Sequence, residues 1–380
     1  MKITFESSQR STVGVEWEIA MVDRKTNELA NVADSIISEL QSTNPEHYPH
    51  ITTELMQNTL ELVTSPHSKV ADAIAQLGQL VEEVSAVTTP RGIGLMCAGS
   101  HPLSKWADQH ITAGERYDKF IRRTQWWGRN MMIWGVHVHV GIDTQEKVIP
   151  ILHALLSYYP HLQALSASSP FWAGEATGYA SNRALMFQQL PTAGLPYDLD
   201  TWAEYESYIA DLMSTGIISE VNEARWDIRP SPRWGTIELR YCDGLSTLQE
   251  IAAVTALSQC LTEHFSRELD AGRQLPRLQP WFVRENKWRA ARYGLNAPII
   301  TAQDGTEQPV QVAIVEAVEM LQPVAKDLDC VEELNSVLTI LEHRPSYERQ
   351  LRVADRNHGD LGAVVESLMH EFESGAATAK

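Results

Sequence analysis

The segment Gly135–Gly141 alternates valine with histidine, and in a strand this period-two pattern turns both imidazoles, His137 and His139, to one face. Val15–Ile19 does the same with Glu16 and Glu18, and Ile237–Tyr241 with Glu238 and Arg240. If the three strands share a sheet, one face packs on helices and the other concentrates Glu, His and Arg. Carboxylates gathered in that way repel one another and lose hydration unless a cation sits among them, so the economical reading is a metal-dependent active site. Each piece alone has a plainer reading. Glu16 and Glu18 read as a solvated strand face, the two imidazoles as a half-buried polar face or the ligands of a zinc hydrolase, and Glu238 with Arg240 as a same-face ion pair.

Two more carboxylates join the candidates. Glu54 and Glu61 would share one face of a helix but point oppositely on a flat strand, so a bend or bulge near Gln57–Asn58 is needed to aim both at one site. Arg183 and Arg225, from segments around a long loop, are candidates for holding a substrate carboxylate in a bidentate fork, with surface cations as the alternative.

The elements that must position these residues can be read from the pattern. The opening strand near Val15 to Val22 leads into the polar turn Asp23–Glu28, and a strand pair is expected between Thr52 and Thr64. Helical spacing marks Val70 to Val87, Gln145 to Leu165, Asp200 to Ser214, Thr247 to Leu269 and most of the chain from Val310. Ile93 to Gly99 reads as a buried strand, and Trp226 to Asp243 as further strands. Ser166 to Pro196 is a long connection whose aromatic residues argue against disorder. Strands entering in antiparallel-looking pairs and helices in blocks give the α+β class, with one large antiparallel sheet and no linker dividing the 380 residues.

Bulk composition narrows the function. A formal net charge of -18 argues against a general nucleic-acid or anionic-membrane surface, while a small anion such as ATP stays compatible through bound metal and a few arginines. The four cysteines are widely spaced and read as reduced thiols of a cytoplasmic protein. No signal-peptide core or membrane-length apolar run is seen. Neither a phosphate-binding P-loop nor a dinucleotide-binding glycine pattern occurs, so any nucleotide must be held in another way.

Taken together, Gly14–Glu18, Glu54 with Glu61, Ala98–Pro102, Gly135–Gly141, Leu165–Trp172, Thr236–Arg240 and Glu285–Leu295 resemble the type-2 glutamate–cysteine ligases, most closely their bacterial carboxylate–amine ligase branch. The resemblance runs from about residue 12 to 370, with the blocks in family order. It implies a glutamine-synthetase-like catalytic domain whose curved antiparallel sheet forms a funnel flanked by helices. It also implies ATP-dependent coupling of the glutamate γ-carboxylate to an amine, by default cysteine, through an acyl phosphate. Carried onto this chain, the metal ligands are Glu16, Glu18, Glu54, Glu61, His137 and Glu238, for Mg²⁺ with Mn²⁺ as the alternative. Arg240 is the phosphate-contacting cation with His139 beside it. Asn286, Trp288 and Arg289 match a family block that either touches nucleotide or packs, and His101 either shapes a turn or meets ligand. Ser168 departs from the asparagine common at that place, and a shorter hydroxyl is not expected to make both amide contacts. Small-molecule substrates are the expected partners, with a homo-oligomer left open. Two other readings stand beside the ligase: a metal-dependent hydrolase needing no ATP, and a non-catalytic protein that binds a nucleotide or amino acid.

Overall fold

Strand β1 (Val13–Asp23) buries Val13, Val15, Trp17 and Ile19 and leaves Gly14, Glu16 and Glu18 only half-buried, so the alternation of residue types becomes an alternation of environment. The computed structural model describes residues 2–43 and 48–377. The other strands in chain order are β2 (Ile51–Thr53), β3 (Thr59–Val63), β4 (Ile93–Met96), β5 (Gly135–Gly141), the short hairpin β6 (Phe171–Trp172) and β7 (Glu175–Ala176), β8 (Ile228–Ser231), β9 (Thr236–Asp243), and the hairpin β10 (Pro298–Ile300) and β11 (Glu307–Pro309). Seven of them form one antiparallel sheet of order β2-β3-β1-β5-β9-β8, with β4 pairing the end of β1. The α+β class expected from the sequence is the one adopted.

Register does the positioning. Glu18 stands opposite Glu61 of β3, which in turn faces Thr52 of β2. Glu16 stands opposite His137 of β5. His139 faces Glu238 of β9, and Glu238 faces Arg229 of β8. A bulge interrupts the β5–β9 ladder between Val136 and Val138, where β9 spends an extra residue at Arg240–Tyr241 against the single His137. Such a bulge bends a strand and re-aims its side chains.

The opposite face of the sheet is covered by helices Val70–Thr88, Tyr159–Ser166, Leu248–Asp270 and Leu361–Ser374. Trp17 meets Phe372 of the last of these at a ring separation of 5.1 Å. Helix Leu248–Asp270 begins with a reciprocal cap between Thr247 and Glu250, which satisfies backbone groups at a buried helix end. One apolar cluster runs from Ile3 to Phe372.

Local departures from the sequence reading have physical causes. The expected helix Gln145–Leu165 is divided into a 3₁₀ turn at Gln145–Lys147 and helices Val148–Ser157 and Tyr159–Ser166. Pro160 sits in the first turn of the second helix, where its missing N–H costs nothing, and it cannot continue the preceding one. The expected bend near Gln57–Asn58 is present as the turn of the β2–β3 hairpin that joins Glu54 to Glu61, with no bulge inside a strand. The strand expected through Gly99 ends at Met96, and the long connection contains the β6–β7 hairpin and the helix Asn182–Phe187. All four cysteines are buried free thiols.

Leu239 is 1% exposed and lies on β9 between Val138 and Ile228, on the face opposite Glu238. Leu239→Ala should therefore lower stability by about 2–4 kcal/mol through lost burial and a residual cavity. Urea unfolding measures this directly, and a midpoint equal to the parent's would place Leu239 outside the core.

Candidate active site

Glu16 is the hub of the polar face. Its two carboxylate oxygens meet His137 Nδ1 at 3.0 Å and His139 Nε2 at 3.2 Å, and the other nitrogen of His139 lies 2.9 Å from the Thr236 hydroxyl. The Gly135 N–H donates to Glu18 at 2.6 Å, and the Thr52 hydroxyl donates to Glu61 at 3.2 Å. Two donor groups result, Glu16–His137–Glu238 and Glu18–Glu61–His137, each with its ligand atoms within 4.8 Å of one another. They share His137, so the cross-strand register yields two adjoining positions suited to a cation.

The ionisation equilibria separate the two ends of this row. Burial and neighbouring Glu54 push Glu18 up to about 7. Burial, then Glu54, Glu16 and Glu18, push Glu61 well above the usual carboxylate range, and burial raises Glu54 as well. Burial also acts upward on Glu16, but hydrogen bonds from His137 and His139 outweigh it and hold the carboxyl well below its ordinary value. At the other end burial again acts upward on Glu238, where Arg229 and Arg240 overcome it and depress the carboxyl. Burial, then Arg240, pushes His137 down to about 4, which leaves a neutral imidazole able to serve as a ligand. Like charges that resist ionisation together are what a divalent ion relieves, so the donor set fits one.

Arginines form the adjoining wall. Arg229 grips Glu238 in a fork, Nε to Oε2 at 2.7 Å and Nη2 to Oε1 at 3.1 Å, and Arg240 pairs with the same carboxylate through Nη1. The Arg240 Nε is buried without a hydrogen-bond partner. Arg225 lies 5.3 Å from the Phe120 ring centre and donates to the Glu223 carbonyl at 3.2 Å, and among the described residues no carboxylate forms an ion pair with it. Burial lowers it to about 10 against the pull of Glu223, with repulsion from Arg240 and Arg229 adding to the fall. Arg229 and Thr236 were not singled out from the sequence. The alternation Ile228–Arg229–Pro230 beside the Glu238 strand was the signal available for the first.

Other expected site residues are placed differently. Arg183 is buried on the same face as the acidic row, where it acts on Glu18 and shares the Phe187 ring with Arg240, donating to the Arg240 carbonyl at 3.2 Å with its Nε unpartnered. A Cβ on Gly135 would lie 2.1 Å from Arg183 Nη2, so glycine is required there for the guanidinium to approach the strand. Asn286 is not brought to the acidic row. Its carboxamide is spent on both backbone groups of Ile300, at 2.7 and 2.8 Å, and Arg289 holds Glu285 and Glu307. These two side chains therefore tie the β10–β11 hairpin to helix Pro280–Tyr293, which favours the packing reading of that block. His101 Nδ1 accepts the Ser104 N–H at 3.0 Å and shapes a turn. The Ser168 hydroxyl makes two contacts despite its length, accepting from Gly99 N at 2.7 Å and donating to the Gly244 carbonyl at 2.6 Å.

The raised Glu18 carboxyl has a consequence for stability. The folded chain keeps a proton that the unfolded chain releases between the ordinary value near 4.5 and about 7, so with a chelator present this group costs stability as pH rises through that window. Glu18→Gln should gain on the order of 1–3 kcal/mol at neutral pH and little near pH 4.5. Chemical unfolding in EDTA at the two pH values decides it, and an equal effect at both would contradict the assignment.

The comparisons with known proteins agree with this geometry. The family described as glutamate–cysteine ligase family 2 matches residues 12–367. A protein of Leifsonia xyli with the provisional name glutamate–cysteine ligase 2 is 56% identical over 374 residues, covering 98% of this chain and 99% of its own. One of Clavibacter michiganensis with the same provisional name is 55% identical over 376 residues, covering 99% and 98%. Among solved structures, the glutamate–cysteine ligase of Francisella tularensis in complex with AMP superposes with a TM-score of 0.65 at 17% identity, covering 100% of this chain and 91% of that one. A bifunctional glutathione synthetase of Pasteurella multocida gives 0.69 at 15% identity, covering 96% of this chain and 52% of that one. At these identities the two structures speak for the fold, and it is the glutamine-synthetase-like ligase fold expected from the sequence. With the family match running nearly end to end, the chain belongs to glutamate–cysteine ligase family 2 and is a carboxylate–amine ligase.

Proposed function

We propose that this ligase joins the γ-carboxylate of glutamate to an amine, with cysteine as the default acceptor, and that ATP is consumed to ADP and phosphate by way of γ-glutamyl phosphate. The observation that carries the reading is the meeting, on one sheet face, of the shared-His137 carboxylate row with the Arg229–Arg240 pair. An oxygen-rich donor set with one imidazole suits Mg²⁺ or Mn²⁺. Glu16, Glu18, Glu61, His137 and Glu238 would hold such ions, with Glu54 adding negative charge beside them. A divalent ion there supplies neutralisation of phosphate charge and orientation of the transferred group. The AMP seen in the Francisella ligase supports an adenine nucleotide as the second ligand.

The chain's own residues then divide the remaining work. Arg240 stabilises negative charge on the transferred phosphoryl oxygens, and its buried, unpartnered Nε is a donor free for that purpose. His139, fixed between Thr236 and Glu16, orients the Glu16 carboxylate. Arg225, half-buried and without an ion-pair partner among the described residues, is suited to a substrate carboxylate. Arg183, on the same face, supports the backbone at Arg240 and eases the ionisation of Glu18. Reduced, buried cysteines are compatible with the cytoplasmic setting in which free cysteine is a substrate.

The test is ATP turnover with Mg²⁺ or Mn²⁺. ADP and phosphate should accumulate only with glutamate present, and hydroxylamine should trap the activated acyl group as γ-glutamyl hydroxamate. Cleavage without ATP would favour a hydrolase, and binding without turnover a sensor. Replacement of cysteine by a panel of amines then ranks the acceptors by kcat/KM. Arg240→Lys should lower kcat by about 10²–10³-fold while changing ATP affinity less than about tenfold, since the planar fork is lost where charge develops. An unchanged kcat with weakened ATP binding would make Arg240 a ground-state contact instead.

A further inference from the structure

Glu238 is asked to do two things with the same oxygens. It completes the Glu16–His137–Glu238 donor group, and it carries a bidentate guanidinium from Arg229 together with a second one from Arg240. The carboxylate is 1% exposed, and both of its oxygens are already in charge-assisted hydrogen bonds. Its Oε2 also lies 3.8 Å from His139 Nε2, so little of its surround is left for another ligand. Arg229 also has acceptors other than Glu238. Its Nη1 reaches the Asn222 carbonyl at 2.5 Å and the Ala224 carbonyl at 3.4 Å, both in the connection before β8. Its side chain is 15% exposed, against 2% for Glu238.

We propose that Arg229 and a divalent cation compete for Glu238, so that metal binding displaces the Arg229 fork and turns that guanidinium toward the anionic ligand that accompanies the metal. Arg229 is then a second phosphate-binding cation whose delivery is coupled to metal occupancy. This rests on the ligase reading of the site, but its central claim concerns metal affinity alone. Geometry sets the exchange: a metal ion and a guanidinium fork approach a carboxylate along the same lone-pair directions, and a buried carboxylate cannot widen its contacts by turning to solvent. Arg240 holds Glu238 through Nη1 alone, whereas the Arg229 fork takes both oxygens, so it is the fork whose release the metal requires.

Mn²⁺ binding without nucleotide, read by the paramagnetic resonance of the free ion, separates this exchange from simple charge repulsion. Arg229→Gln should bind Mn²⁺ more tightly than the parent, by on the order of tenfold, the equivalent of one charge-assisted hydrogen bond. Arg229→Lys keeps the charge and loses the fork, so it should tighten binding as well. A lysine variant that binds like the parent beside a tighter glutamine variant would reduce the effect to repulsion and overturn the exchange, as would unchanged or weaker binding in both. The unsubstituted protein supplies an independent measurement. With ¹⁵N-arginine labelling, the Arg229 Nε–H resonance should move as Mg²⁺ is added, and a resonance that does not respond while Mg²⁺ binds overturns the proposal. None of these readouts requires turnover, so a failure to form hydroxamate would count against the ligase chemistry and leave the competition for Glu238 to be judged by itself.

Discussion

Everything at the polar face depends on cross-strand register. Glu16 opposite His137, Glu18 opposite Glu61, and His139 opposite Glu238 are consequences of how β1, β3, β5 and β9 are paired. Because side chains alternate with period two, a slip of one residue in any strand would carry its ionisable group to the helix-covered side and an aliphatic one to the site. The buried apolar set Val13, Val15, Trp17 and Ile19 opposes that slip, since each would lose its place in the core. The packing on one face thus holds the chemistry on the other.

What the packing holds is electrostatically uncomfortable. Four carboxylates, Glu16, Glu18, Glu54 and Glu61, influence one another at the β1–β3 end, and three of them are harder to ionise than in water. At the β8–β9 end two guanidiniums converge on Glu238. At the negative end no cation among the described residues forms an ion pair with Glu18, Glu54 or Glu61, although Arg183 and Arg116 act on two of them, while the positive end has Arg225 beyond what Glu238 can pair. Such a division of charge is stored at the expense of stability and is relieved by a ligand that carries divalent cations and polyanionic groups together. The family to which the chain belongs is one for which that description of a ligand makes chemical sense.

Support for the arginine wall comes from a part of the chain that carries no site carboxylate. Asp243, at the end of β9, accepts the Ser169 and Ser181 hydroxyls at 2.7 and 2.8 Å and the Ser168 N–H at 3.0 Å. Ser169 in turn accepts the Arg183 N–H at 3.0 Å. A Cβ on Gly99 would fall 2.6 Å from the Asp243 carboxylate, so the segment after β4 passes here as glycine. The long connection from Ser166 is therefore fastened at its base to the strand that bears Glu238 and Arg240. The serine at position 168 fits this knot because its hydroxyl both donates and accepts.

Much of this was legible in residue order, because strand periodicity is local. The alternations around Glu16, His137 and Glu238 announced which side chains share a face, and the helical spacing from Thr247 to Leu269 marked a helix that the fold forms over Leu248–Asp270. The residue types in those alternations also pointed to a site suited to cations. Tertiary pairing alone decided which carboxylates meet which imidazole, that Glu54 and Glu61 are joined by a hairpin, and that Arg229 reaches Glu238 from the neighbouring strand. It also decided that Asn286 and Arg289 brace a hairpin while Arg183 supports the Arg240 backbone beside the acidic row. The reason is the range of the forces. A strand's facing is set by the next two residues, whereas the partner of a buried charge is set by which distant strand the core's packing brings alongside it.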